Sequence, residues 1–235
     1  MANSDTVRSI IDDAMAAGRD SLTANESKKI CDEYGIATPA EGVATSADHA
    51  IEIADGIGYP VVAKVVSPDI LHKSDAGGVI LDIADKASLK SAYNQIISNA
   101  QVFDSSADLK GVQIQHQLAS AQEVIVGAVT DPVFGKLVAF GLGGVLVEVF
   151  KDVTFRLAPT SQSQARSMLS DIAGAEILDG VRGRAGVDRG ALEELIQKVS
   201  QLITDFPQIH ELDLNPVFAT QDGATAVDVR ILLKE

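Results

Sequence analysis

The spacing of apolar positions changes several times along the chain, and each change marks an element. Val7, Ile10, Ile11 and Ala14 recur at helical spacing, and Gly18 reads as a stop. Thr23 and Glu26 stand at capping-box spacing ahead of a second helix, which carries Ile30, Cys31 and Tyr34 and ends at Gly35. Residues 36–39 read as extended, because the residue before a proline avoids helical geometry. A third helix is predicted over 47–57, with Ile51 and Ala54 inward. Val61-Val62-Ala63 is an apolar run that suits a buried strand, and Lys64 closes it. A second run, Val79-Ile80-Leu81, follows Gly77-Gly78, and Asp85 can then cap a helix holding Leu89, Tyr93, Ile96 and Ala100.

From Gly111 the pattern shifts towards alternation. Residues 111–117 place Val112 and Ile114 on one face of a strand. Residues 123–129 and 136–140 read as a hairpin around Asp131-Pro132-Val133-Phe134-Gly135. Gly141, Gly143 and Gly144 interrupt before another apolar run, 145–150. A helix is predicted over 162–172. A polar, glycine-bearing stretch spans 180–184. Asp188 can cap a helix with Leu192, Leu195, Ile196, Val199, Leu202 and Ile203 on one stripe. Two strand-like runs, near 209–214 and 224–231, close the chain. Helices and strands intermix, so the class is α/β or α+β. Single strands alternate with helices before Gly111, and strands crowd together after it. The pattern predicts two lobes with a cleft between them: a helical extension over 1–20, one lobe over 21–110 and another over 111–235.

Composition narrows the reading. The 235 residues are 46% hydrophobic, enough for a substantial core and too apolar for disorder. Acidic residues outnumber basic ones 33 to 19, for a net charge of −14, which disfavours nucleic acid as the main partner. Cys31 is the single cysteine, so no intramolecular disulfide forms, and it is expected in the core. The N-terminus lacks the basic and apolar regions of a signal peptide, and no apolar run approaches the roughly 20 residues of a membrane span. The expected setting is cytoplasmic, without a membrane.

Two stretches carry candidate chemistry. In the first, residues 60–78 (PVVAKVVSPDILHKSDAGG), Lys64 can reach a phosphate as a point charge, and His72 precedes Lys73, Ser74 and Asp75. Gly77-Gly78 lets the backbone approach an anion closely. The same residues also read as a strand, a polar loop and a hairpin strand with His72 merely exposed. In the second, alternation puts Glu211, Asp213 and Asn215 on one strand face. Asp228, within an apolar strand-like run, is costly unless paired or bound to a cation. Oxygens from Asn215 and Asp228 suit Mg²⁺, which keeps waters and shares phosphates; a loop-capping Asn and a salt-bridged Asp fit the spacing as well. The glycine run 141–146 has Leu146 where a dinucleotide-binding fingerprint needs its third glycine, and no P-loop, zinc spacing or G-x-S-x-G elbow is present.

In this order, Lys64, HKSDAGG, FGLGG, VEVFKDVTFRLAP, GVRGR and ELDLNPV resemble the nucleotide-binding subunit of ADP-forming acyl-CoA synthetases. This is the acetate–CoA ligase β-subunit type, related to the succinyl-CoA synthetase β-subunit, and the resemblance spans about 21–233. It implies an α+β, two-lobed ATP-grasp fold with the nucleotide site between the lobes. It implies the reaction acyl-CoA + phosphate + ADP ⇌ carboxylic acid + CoA + ATP, run through a phosphohistidine. By the same resemblance, Lys64 contacts nucleotide phosphates, and Gly77 and Gly78 close over them. His72 takes the phosphoryl group, Asp213 orients the phosphorylated histidine, and Asn215 and Asp228 hold Mg²⁺. Gln115, His116 and Gln117 fall at the hinge that holds base and ribose, where relatives carry Gln-Glu-Met, so the choice between adenine and guanine stays open. Glu123 matches a glutamate near the nucleotide. The chain starts at Met1, stops after its last strand and lacks a CoA-binding segment. The expectation is therefore a separate subunit working with a CoA-binding α-subunit, as an α2β2 heterotetramer. A stand-alone ATP-grasp carboxylate ligase without a phosphohistidine, and a non-catalytic nucleotide-binding subunit, remain as alternatives.

Overall fold

The computed structural model describes residues 4–70, 72–144, 152–181, 183 and 185–234. The apolar run 145–150, with Arg182 and Arg184 of the GVRGR stretch, lies outside the described residues. In chain order the elements begin with α1 (Ser4–Ala16), α2 (Ala24–Glu33), β1 (Glu41–Ala44), α3 (Ala47–Ile57), β2 (Val61–Val66) and β3 (Val79–Ile83). Then come α4 (Lys86–Phe103), β4 (Gly111–His116), β5 (Gln122–Asp131), β6 (Gly135–Leu142) and β7 (Val153–Leu157). The chain continues with α5 (Gln162–Asp171), a 3-10 turn (Ala175–Asp179), α6 (Arg189–Asp205), β8 (Ile209–Thr220), β9 (Gly223–Ala226) and β10 (Val229–Leu233). Local chemistry starts most of the helices. Thr23 and Glu26 complete a capping box at α2, and Asp85 with Ser88 does so at α4. Ser161 with Gln164 caps α5, and Asp188 accepts from Ala191 N at α6.

Contacts divide the chain into two compact units, Pro39–Ala119 and a larger one made of Met1–Thr38 with Ser120–Glu235. These boundaries differ from those expected at 20/21 and 110/111. β4 pairs with β1 and β2, so it belongs to the smaller unit. The first 38 residues join the larger unit, because Val7, Ile11, Ile30 and Cys31 bury in the same core as Leu212 and Ile231. Backbone bonds from Leu22 N to Ile231 O and from Leu233 N to Asp20 O fasten this segment along β10.

The smaller unit is an antiparallel sheet in the order β1-β4-β2-β3. Val61, Ala63, Val65, Val112 and Ile114 pack with Ala50 and Ala54 of α3 and Leu89, Tyr93 and Ile96 of α4. By the twofold period of a strand, Val62, Lys64, Gln113 and Gln115 take the opposite face. In the larger unit the path is β10-β8-β5-β6-β7, and β9 pairs with β8. Val124, Val126, Ala128, Val138, Phe140, Leu212 and Leu214 are buried in one core with the α6 stripe Leu192, Ile196, Val199 and Ile203. Each such aliphatic side chain contributes roughly 1.5–3 kcal/mol on burial, so α6 is the main apolar cover of this sheet. Alternation then leaves Glu123, Ile125 and Gly127 of β5 and Glu211, Asp213 and Asn215 of β8 on the face away from α6.

Candidate functional site

Lys64 does not end its strand. It sits inside β2, and only 9% of it is exposed. Its ammonium donates to Gln115 Oε1 at 3.0 Å, and Gln115 Nε2 donates to Glu41 Oε2 at 2.6 Å. Strand register creates this chain: Glu41 pairs directly with Gln115, and Gln115 pairs with Val62, two residues before Lys64. Pattern reading missed Glu41, because its relation to Gln115 depends on a strand pairing across more than seventy residues. Its only local signal is an acidic residue opening a strand just after Pro39.

The stretch after β2 folds back as a turn. Gly77 N donates to Ser74 O at 3.0 Å, Gly78 N to Lys73 O at 2.8 Å, and Val65 N to Gly78 O at 2.7 Å. His72 is exposed at its start. Gly77 has φ +59°, and Asn99 Nδ2 donates to its carbonyl at 2.8 Å. A Cβ on Gly78 would lie 2.5 Å from Val65 Cγ1 and 2.9 Å from Lys73 O. The glycine pair is therefore required by the turn itself, whatever else its amides do.

The expected hinge residues are not brought together on one side. Gln115 is buried, with both ends of its amide engaged. His116 Nδ1 lies 3.3 Å from Gly58 O, the cap of α3. Gln117 and Asp82 bond reciprocally, Gln117 Nε2 to Asp82 Oδ1 at 2.6 Å and Asp82 N to Gln117 Oε1 at 2.7 Å.

In the larger unit, Asp213 stands in the middle of a row across the sheet, with Arg230 of β10 beside it and Gly127 of β5 on the other side. A Cβ on Gly127 would lie 3.1 Å from Leu212 O, so the glycine eases the close approach of the β8 backbone beside Asp213. Asn215 follows on the same face and is exposed. Asp228 is not within a strand, as its apolar neighbours suggested. It lies at a half-buried bend between β9 and β10. Its carbonyl accepts from Asn215 N at 3.2 Å, and its Oδ1 accepts from Val229 N at 3.1 Å, which holds the two side chains on adjoining segments. Burial raises the pKa of Asp213, and the carboxylates of Glu211 and Asp228 push it further; among the described residues Arg230 opposes them. Glu123 lies on the same face of β5 as Gly127. The glycines of the FGLGG run make room for it: a Cβ on Gly143 would lie 3.0 Å from Glu123 C, and one on Gly144 would lie 3.0 Å from Glu123 Oε2.

Among the described residues no three His, Cys, Asp or Glu side chains converge as a metal-binding group. A site with Asn215 and Asp228 as protein ligands is the sparser type that Mg²⁺ uses when phosphates and waters complete its shell. The carboxylates around Asp213 fit a cation held nearby, because a positive charge there would offset the repulsion from Glu211 and Asp228. A separate groove of about 550 Å³ in the larger unit is lined by Arg166, Glu176, Asp179, Arg189 and Glu193. Its arginines are already paired, Arg166 with Glu193 at 2.9 Å and Arg189 with Asp179 at 2.7 Å, and none of the predicted site residues lines it.

Residues 13–233 match the ATP-grasp domain family. The chain belongs to that family. Its relatives place it more narrowly. The β-subunit of acetate–CoA ligase (ADP-forming) I from Pyrococcus furiosus is 45% identical over 96% of this chain and 97% of its own length. At that identity and coverage, this ATP-grasp chain is a member of the ADP-forming acetate–CoA ligase β-subunit group. A structure of acetyl-coenzyme A synthetase 1 from Candidatus Korarchaeum cryptofilum, in complex with coenzyme A, Ca-AMPCP and HgCl⁺, superposes with a TM-score of 0.94 at 38% identity. It covers 97% of this chain and 99% of the other. A further structure of that enzyme holds coenzyme A and Mg-AMPPCP, with its phosphohistidine segment pointing towards the nucleotide binding site. It has a TM-score of 0.86 at 36% identity and covers 97% of this chain and 100% of that one. The mixed helices and antiparallel sheets of both units accord with this family. Among the described residues, no helix of this ATP-grasp chain is long and apolar enough to cross a membrane.

Proposed function

We propose that this chain is the nucleotide-binding β-subunit of an ADP-forming acid–CoA ligase. Its reaction is acyl-CoA + phosphate + ADP ⇌ carboxylic acid + CoA + ATP, and its partner is a CoA-binding α-subunit in an α2β2 assembly. The observation that carries the reading is the near end-to-end likeness to a β-subunit of that activity. The side chains have the chemistry the role requires. Lys64, anchored within a strand, offers an ammonium to phosphate oxygens. Gly77 and Gly78 shape a tight turn, whose own amides bond within it, in the segment that would close over the phosphates. Asn215 and Asp228 would hold Mg²⁺, and Glu123 lies near the nucleotide. Mg²⁺, when bound, neutralises charge on the phosphate oxygens during transfer.

His72 acts as the phosphoryl acceptor. One ring nitrogen attacks the terminal phosphorus of ATP as the bond to ADP breaks, and ADP leaves with the bonding pair. The exposed imidazole is sterically accessible for that attack. Asp213 accepts the remaining ring N–H of a phosphohistidine, which fixes its tautomer and offsets its charge. Incubation with radiolabelled ATP and Mg²⁺ tests the assignment. An acid-labile, base-stable label on the wild-type chain, absent from His72→Ala, is the expected result. Label that persists on a histidine of His72→Ala removes His72 from the role. Robust acyl-CoA formation by the pure polypeptide alone would overturn the subunit reading in favour of a single-chain ligase.

A further inference from the structure

We propose that Glu41 is a positioning residue for Lys64, acting through the side-chain amide of Gln115. The inference rests on the reading that Lys64 binds nucleotide phosphates. An ammonium can only donate hydrogen bonds, and an ionised carboxylate can only accept them. Gln115 stands between one of each: its Oε1 accepts from Lys64 Nζ at 3.0 Å, and its Nε2 donates to Glu41 Oε2 at 2.6 Å. Turning the amide over would set N–H groups against the ammonium and the carbonyl oxygen against the carboxylate. Both contacts would then be repulsive. One orientation therefore satisfies both neighbours, and Glu41 reinforces it from the side away from Lys64.

Burial makes that selection matter. Gln115 is 2% exposed and Lys64 9%, so bulk water replaces a lost partner poorly. The geometry is also fixed from below. Glu41 is the register partner of Gln115 across β1 and β4, and Val62 is its partner across β4 and β2. The amide holds the ammonium at one point by one of its three N–H groups. In this arrangement Gln115 serves the nucleotide through Lys64 rather than by touching base or ribose, and Glu41 polarises and orients the amide from behind.

The account predicts a ranking across three substitutions, read by calorimetric titration of the full chain with Mg-ADP and, separately, with adenosine. Glu41→Gln keeps an acceptor oxygen for Gln115 Nε2 and rescues affinity for Mg-ADP to within about threefold of wild type. Glu41→Ala removes the acceptor at the far end of the amide, loosens its hold on the ammonium, and weakens Mg-ADP by about tenfold. Glu41→Lys reverses the demand: the amide turns its oxygen to the new ammonium and its N–H groups to Lys64, so Mg-ADP binds more weakly still. A simple charge effect predicts the opposite for the lysine variant, because an added cation attracts an anionic nucleotide. Adenosine has no phosphates and keeps its wild-type affinity in all three, with thermal melting confirming that each variant is folded. Glu41→Ala binding Mg-ADP like wild type overturns the proposal. So does Glu41→Lys binding it more tightly than Glu41→Ala, or adenosine affinity falling in step with that of Mg-ADP. Failure of the wild-type chain to bind Mg-ADP at all overturns the nucleotide reading itself and this inference with it, an outcome distinct from the other three.

Discussion

The two units present opposite electrostatic situations. In the smaller one, the buried cation Lys64 is joined through Gln115 to the carboxylate of Glu41, so charge is balanced over two hydrogen bonds. In the larger one, burial raises the pKa of Asp213 and Glu211 and Asp228 raise it further, with Arg230 in opposition among the described residues. The first arrangement fixes a side chain in place. The second sets carboxylates close together on and beside one strand face, where the proposed function puts Mg²⁺. The contrast separates two local arrangements: a donor preorganised by hydrogen bonds, and a carboxylate crowded by its own kind.

The largest expected effect breaks the balanced side. Lys64→Ala removes a charged hydrogen-bond donor and should weaken Mg-ADP by about tenfold to 100-fold, measured by calorimetry. Gly78→Ala attacks the support of that side instead. The added methyl meets Val65 Cγ1 and the Lys73 carbonyl, so denaturant unfolding should show a loss of about 1–3 kcal/mol. A neighbouring test uses a pair that is already satisfied. Arg19 holds Glu26 through two bonds of 2.8 Å, which with the Thr23 cap lower the Glu26 pKa to about 2. That stability is present above the ordinary carboxylate pKa and lost as pH falls towards about 2. Glu26→Gln should cost about 1–2 kcal/mol at neutral pH, allowing for partial solvent screening, and should flatten the acid limb of the melting profile.

The smallest effect has the opposite sign and belongs to the crowded side. The Asp213 pKa is raised by folding, so its contribution is fully present below the ordinary carboxylate pKa and is lost as pH rises through the raised value. At neutral pH the ionised group therefore works against the fold. Asp213→Asn should raise the Tm of the nucleotide-free chain slightly at pH 7 and leave it little changed at pH 3. A Tm that falls at pH 7 would show that the carboxylate is stabilised by contacts other than those around it here.

Much of this was legible in the sequence where the causes are local. The caps at Thr23, Asp85 and Asp188 were readable because each acts on a backbone N–H three residues away. Alternation along 211–215 correctly put Asp213 and Asn215 opposite the core residues Leu212 and Leu214. The pattern misled where both faces of a strand are buried. Val62 and Lys64 are nearly as hidden as Val61 and Ala63, so no periodicity marked Lys64 as lying within β2. Asp228 looked like a strand residue because the bend between β9 and β10 is flanked by apolar positions on both sides. Long-range effects were invisible. Nothing near Val7 or Ile11 announces that the N-terminal helices pack with strands that come two hundred residues later, and nothing near Glu41 announces Gln115.

The most direct test of the central claim is a calorimetric titration of ADP at several Mg²⁺ concentrations into wild-type chain, Lys64→Ala and Asp228→Ala, each checked for folding. The account predicts that wild-type affinity rises with Mg²⁺. Lys64→Ala should bind more weakly at every Mg²⁺ concentration yet keep that dependence, and Asp228→Ala should lose it. Mg²⁺ dependence that survives intact in Asp228→Ala, or ADP affinity unchanged in Lys64→Ala, would contradict the assignment of the two faces to metal and phosphate.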